Sequence, residues 1–324
     1  LLAVVPCGWW HYAAACSVMG SVGFSASLIF YDSLLPAIAP ARKAHRISSL
    51  GFALGYFGGG VVFGLCVFAS WQPVLFGLSR EALIRASFLL TSIWWLGFTV
   101  PLMLFVPEPQ HHQRQQFTKS LKQSIARMRS TLQQARQMKS VWIFLLAYWL
   151  YIDGVDTVIR MELDYGMSIG LKPGALISAL LLTQFIGFPC ALVFGMLGER
   201  WGAKKAVIAG LGIYVIIVVW GMLMQTEREF YVLAAMVGMV QGGVQALSRS
   251  IFAGLIPKER AAEFFGFYNM VGKYAVILGP ALLGSAAYLT GSPRAGIASL
   301  LVFFIIGALL LCLVKTDCPQ PHDI

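Results

Sequence analysis

The sequence is 324 residues long, 58% hydrophobic, 13% aromatic and only 12% charged, with a mean hydropathy of +0.74. A chain this apolar is not a water-soluble globule and needs lipid as its solvent. Its formal net charge of +10 would suit a nucleic-acid binder, but the cations sort by loop along the chain, which argues against that class.

A bilayer-spanning helix takes about 20 mostly apolar residues, and that template fits about nine times. Leu1 to Pro6 read as the tail of another span, after which helix A covers 11–38, helix B 47–69 and helix C 86–106. In B, Gly55, Gly58, Gly59 and Gly60 follow no strand and precede no Gly-Lys-Ser/Thr, so they predict close helix packing and not a phosphate loop. A polar segment, 107–140, comes next. In it Phe117, Leu121, Ile125, Met128, Leu132 and Ala135 recur at helical spacing with basic residues between them. It reads as an amphipathic helix on an acidic inner leaflet or as a solvated linker helix. Helices D to I follow at 141–163, 174–197, 205–224, 230–256, 264–288 and 296–314. The organisation expected is 1–106, a basic linker 107–140, a six-helix half 141–315 and a cytoplasmic tail 316–324.

Lys and Arg crowd the segments after A, C, E, G and I, with Arg42, Lys43 and Arg46 after A and seven cations from Arg114 to Lys139 after C. The intervening loops hold only Arg80, Arg85, Lys172, Arg228 and Arg294. Cytoplasmic loops are enriched in Lys and Arg, so the first set faces the cytoplasm and A enters from outside. Cys16, Cys66, Cys190 and Cys312 lie within spans, Cys7 and Cys318 near ends, and none has zinc-ligand spacing. The adjacent His111 and His112 are too few for a metal site, and the start lacks the basic segment and cleavage site of a signal peptide.

An internal repeat organises these spans. YDSLLPAIAP at the end of A lies over SRSIFAGLIP at the end of G, and GFALGY of B over GFYNMV of H. Helices A, B, C thus repeat as G, H, I, while D, E and F have no partner. Two parallel six-helix halves would place three further helices ahead of A, so an N-terminally truncated chain is expected.

Ionisable residues inside spans are costly and each needs a reason. In D, Asp153, Asp156 and Arg160 fall at i, i+3 and i+7, on one face. Asp153 lies about 18 Å into a core of about 30 Å. Asp156 and Arg160 are read either as an internal ion pair or as part of a binding face. Gln184 in E, Gln241 and Gln245 in G, and Asn269 and Lys273 in H reach similar depth. The glutamines also suit interhelical hydrogen bonding. A lysine at that depth needs an acidic partner, a wet cavity or loss of its proton. The expectation is that Lys273 and Asp153 face one cavity and hold a zwitterion, with mutual pairing as the alternative. Asp32 and Arg249 align in the repeat near the cytoplasmic ends of A and G. They are read as a salt bridge closing the inner mouth, or as separate partners, Arg249 with Glu199 and Asp32 with a cation ahead of A.

The loop after E carries Gly195, Glu199, Arg200, Gly202, Lys204 and Lys205, which resembles the major-facilitator pattern Gly-x-x-x-Asp-Arg-x-Gly followed by basic residues. Glu stands where that pattern has Asp. Gly202 permits a tight turn, and the acid and bases can pair with neighbouring helix ends as a charge relay.

Longer stretches, YDSLLPAIAP, GFALGYFGGG, YWLYIDGVDTVIRMELDYG, TQFIGFP, VQGGVQALSRSIFAGLIP and AAEFFGFYNMVGKYAVILGP, are similar to the vacuolar amino-acid effluxer family of that superfamily, in its bacterial branch. The resemblance covers nearly the whole chain. It implies an all-α integral membrane fold, a major-facilitator-type helical bundle of two pseudo-symmetric halves, and suggests amino acids as substrates. The Tyr-Asp-Trp-Ala-Asn motif of the family's first helix does not occur here. The function expected is a secondary transporter of amino acids or similar small zwitterions, proton-coupled, working by alternating access. A non-transporting receptor or scaffold, or an inactive truncated carrier, is the alternative. No nucleophile with its base and no metal cluster is evident, so no enzyme activity, metal or cofactor beyond a coupled proton is expected. The partners expected are the lipid bilayer and a small solute, with no nucleic acid, for a monomer in a bacterial cytoplasmic membrane.

Overall fold

The computed structural model describes residues 2–5, 8–40, 43–106 and 117–315, with side chains described at all of these except 76, 80, 117–125 and 127. The part of the linker at 107–116 with His111 and His112, the tail 316–324, Cys7 and Cys318 lie outside the described residues. The described chain is helical almost throughout, because lipid offers no partner for a backbone N–H or C=O and a helix satisfies each internally. The helices are α1 (Trp10–Ile38), α2 (Ala44–Trp71), α3 (Pro73–Phe76), α4 (Arg80–Phe105), α5 (Phe117–Gln137), α6 (Lys139–Ser168), α7 (Pro173–Leu197), α8 (Ala203–Leu223), α9 (Glu227–Leu255), α10 (Ala261–Thr290), α11 (Pro293–Ser299) and α12 (Leu301–Leu313).

Among the described residues eight apolar runs are long enough to cross a membrane, and one of them, Pro173–Leu223, has 51 residues. At about 1.5 Å per residue that run is more than twice the hydrocarbon thickness of about 30 Å. A π-helical turn over Gly198–Gly202 divides it into α7 and α8. The eight runs therefore hold the nine expected spans. Most boundaries lie within three residues of expectation, the expected helix I is divided into α11 and α12 at Leu300, and two other helix ends lie further out. α4 starts at Arg80 and not at 86, because the Ser79 side chain accepts the Ala82 N–H and Glu81 complements the helix start. α6 continues to Ser168 and not to 163, because it carries Glu162 and Asp164 within the helix instead of ending at them.

Contacts divide the chain into two compact units, Leu1–Ser27 with Gly58–Arg129, and Leu28–Phe57 with Ser130–Ile324. In the first, Phe24 and Trp95 meet with centroids 5.4 Å apart, and Trp94 packs on Phe98 at 5.0 Å. Its α4 keeps no buried residue in its most apolar window. Apolar side chains left on the outside of a helix suit hydrocarbon as the surrounding solvent.

The second unit holds the core. α9 packs on α7 and α8, and α6 packs on α10 and α12. Small residues allow the close approaches. A Cβ on Gly154 of α6 would lie 2.8 Å from the Phe304 ring, and one on Gly307 of α12 would lie 2.9 Å from the Tyr151 Cβ. Backbones this close gain dispersion contacts that larger residues would block. Aromatic rings fill the space between α6, α9 and α10: Tyr148 stacks on Tyr268 at 4.2 Å, and Phe252 stacks on Tyr268 at 4.9 Å. Tyr151 and Ser248 share a hydrogen bond of 2.7 Å, so the phenol is not left unsatisfied in the apolar interior.

The end of the linker helix is tied to α10. Arg260 reaches Ser130, Thr131 and Gln134 of α5 and also binds Glu263, which accepts from Thr131. Thr131 and Ala135 are buried, so this part of α5 is a packed element and its charges Arg129 and Arg136 stay exposed.

Candidate functional site

Three groups of polar residues lie in the second unit. The first is a charged node. Pro36 lies inside α1, four residues after Asp32, and its missing N–H leaves the Asp32 carbonyl without its usual helix donor. Asp32 is 7% exposed and Arg249 of α9, itself 4% exposed, sits against it. Arg249 Nη1 donates to Asp32 Oδ1 at 3.1 Å, Nε to Ser48 Oγ at 2.9 Å and Nη2 to the Ser48 carbonyl at 3.1 Å. Asn269 of α10 donates to the other carboxylate oxygen at 3.0 Å. The guanidinium also lies over Tyr31, 5.1 Å from the ring centre, and over Phe52 at 4.9 Å. A desolvated ion pair is tolerable only when its remaining donors and acceptors are used, and this one meets that condition. Two further bonds bind the start of α2 to α9: Ser48 donates to the Ala246 carbonyl at 2.7 Å and His45 meets Ser250 at 2.8 Å.

Of the two pairings left open by the sequence, Arg249 makes the one with Asp32 and not the one with Glu199. Asn269, expected beside Lys273 in a binding cavity, lies instead on Asp32. Nothing in the sequence marks Ser48, His45, Ser250, Tyr31 and Phe52 as members of this node. Serines near a helix start and aromatics on an apolar face are commonplace, so only the three-dimensional arrangement reveals them.

The second group follows α6. Asp153 is 1% exposed. Its Oδ1 accepts the Gly279 N–H of α10 at 2.9 Å and a longer contact from Thr157 at 3.5 Å. Asp156 is half-buried and Arg160 exposed. The positive charges that act on Asp156 are those of Arg160 and of Lys273, from α10. Lys273 is exposed and acts on Asp156 through its charge, while the Asp153 Oδ1 is engaged by backbone. The glutamines are spread over two helices. Gln241 of α9 is 4% exposed with its Oε1 lacking a hydrogen bond among the described residues. Gln245 accepts from the Tyr56 hydroxyl at 3.5 Å, and Gln184 of α7 is half-buried.

The third group is the turn between α7 and α8. Glu199 and Arg200 are exposed there. Gly202 has φ +90°, a conformation that L side chains rarely adopt, which explains its place in the motif. Lys204 donates to the carbonyls of Cys312 at 2.6 Å and Val314 at 2.8 Å. A cation on the unpaired carbonyls at the C-terminal end of α12 is favoured by hydrogen bonding and by the helix dipole.

The chain is similar to known proteins. Residues 1–318 match the model of the family described as "Vacuole effluxer Atg22 like". An uncharacterized MFS-type transporter of Bacillus subtilis, YxiO, is 37% identical over 332 aligned positions, covering 100% of this chain and 76% of that protein. Autophagy-related protein 22-1 of Penicillium rubens is 28% identical, covering 85% of this chain and 50% of that protein. The chain spans about half the length of the fungal relative. Among solved structures, a bacterial homologue of the iron transporter ferroportin superposes with a TM-score of 0.57 at 16% identity, over 96% of this chain and 75% of that one. That likeness carries the fold alone. The chain belongs to the vacuole effluxer Atg22-like family of the major facilitator superfamily, and is an all-helical, multi-pass membrane protein of a transporter family.

Proposed function

We propose that the protein moves amino acids or similar small zwitterions across a bacterial cytoplasmic membrane by alternating access, coupled to protons. The observation that carries this reading is the buried Arg249–Asp32 pair at 3.1 Å. It joins α1 and the start of α2 to α9 and α10 through bonds that can be exchanged for water. Intact, it closes the cytoplasmic side. Separated, with each charge hydrated, it opens that side to solute.

Asp156 and Lys273 supply the opposite charges that a zwitterion needs, one for an ammonium and one for a carboxylate. The charge of Arg160 acts on Asp156 from the next turn of α6, and Gln241, Gln245 and Gln184 offer uncharged donors and acceptors at similar depth. The superfamily membership supports transport, and the name of the fungal relatives' family supports efflux from a compartment. Uptake of labelled amino acids into proteoliposomes, with and without a pH gradient, tests the whole. Lys273→Ala should abolish saturable binding in detergent, and unchanged affinity would remove Lys273 from the site. Absence of flux for every amino acid offered, from protein that is folded and oriented, would leave a non-transporting receptor as the better reading.

A further inference from the structure

We propose that Asp153 is a proton-binding site whose occupancy sets the bend of α10 at Gly279–Pro280. This deepens the proton coupling above and rests on it only for its use in transport. Pro280 lies inside α10, where it can donate no hydrogen bond to the Val276 carbonyl and pushes the preceding turn aside. One residue before that missing donor, the Gly279 N–H is held by Asp153 Oδ1 at 2.9 Å. The approach leaves no room for a side chain: a Cβ on Gly279 would sit 2.7 Å from Asp153 Oδ1 and 1.9 Å from Thr157 Oγ1. The acid of one helix is therefore seated directly on the weakest point of another.

The second carboxylate oxygen makes the seat responsive. Asp153 Oδ2 is buried and has no hydrogen-bond partner among the described residues. A proton arriving at Oδ2 leaves Oδ1 in place, but turns a carboxylate acceptor into a neutral carbonyl. Bonds to a charged acceptor are about twice as strong as neutral ones, so protonation loosens the grip on Gly279 without removing it. Few other charges compete. Asp156 acts on Asp153 from one turn along α6, and Arg160 of α6 and Lys273 of α10 act on Asp156. From α12 the uncharged Phe304 faces Gly154, and from α9 Ser248 meets Tyr151. Ionised Asp153 holds α10 at Gly279, and protonated Asp153 loosens that hold and lets the helix bend there.

Hydrogen exchange at the Gly279 amide tests this with neither substrate nor gradient, on the whole chain in detergent. Rates are divided by the intrinsic rate at each pH. The native chain should lose about tenfold in protection from mildly alkaline to mildly acidic buffer, the scale of one charge-assisted bond becoming neutral. Asp153→Asn, which presents the same neutral carbonyl, should show the reduced protection at every pH. Asp156→Asn should move the midpoint and keep the response. Protection of Gly279 that does not change with pH in the native chain overturns the proposal. A response that disappears in Asp156→Asn also overturns it, by assigning the titration to Asp156. If Asp153→Asn does not elute as a folded species, the native and Asp156→Asn series decide alone. Failed transport with a normal exchange response would instead count against the transport reading and leave the proton site standing.

Discussion

Arg249 holds Asp32 at 3.1 Å with both side chains almost fully out of water. That pair joins a helix near the start of the chain to one near its end, across 217 positions. Each partner is costly alone, and removing one strands the other as an uncompensated buried charge.

Asp32→Asn or Arg249→Leu should therefore destabilise the protein by about 3–5 kcal/mol. Thermal unfolding in detergent measures this. The exchange Asp32→Arg with Arg249→Asp should recover part of the loss, and no recovery would mean that Ser48, Asn269 and the two rings are specific for the native orientation.

The contact of α6 with α12 depends on a missing side chain. Gly154→Ala places a methyl 2.8 Å from Phe304 Cζ, with the ring itself stacked on Tyr214 at 4.9 Å. Overpacking of this kind costs about 1–3 kcal/mol. Combining it with Phe304→Leu should restore part of the melting temperature, and a double variant as unstable as the sum of its parts would place the strain elsewhere.

The start of α9 is fixed by a reciprocal cap in which Thr226 Oγ1 accepts the Glu229 N–H and the Glu229 carboxylate accepts the Thr226 N–H. Thr226→Ala should cost about 1 kcal/mol. Its effect should appear as faster amide exchange in the first turn of α9, with the turn between α7 and α8 unchanged.

Lys204→Met should free the last carbonyls of α12. Cys312, whose carbonyl the ammonium binds, is exposed. With the other cysteines replaced by alanine, maleimide labelling of Cys312 should quicken severalfold as the helix end frays. Equal labelling rates would show that the ammonium is dispensable there.

The sequence by itself determined the solvent, the helices and the family. Apolar runs of bilayer length leave no structure open but helices, because an unpaired backbone group in hydrocarbon has no water to turn to. The Gly-x-x-x-Glu-Arg-x-Gly loop and the longer stretches similar to the Atg22-like effluxers were equally legible, since they are local strings. Periodicity also placed Asp153, Asp156 and Arg160 on one face of α6. Which polar groups meet was decided only by the tertiary structure. Helical spacing says where a side chain points on its own helix and nothing about the helix opposite. Asn269 and Lys273 share a face, yet one binds Asp32 and the other acts on Asp156. The sequence has Asp153 facing a cavity with Lys273 or pairing with it, whereas its Oδ1 accepts the Gly279 backbone N–H. The Asp32–Arg249 pair is one of two readings of the sequence, and the fold selects it by bringing the two side chains to 3.1 Å, because a buried charge takes whichever partner lies within reach.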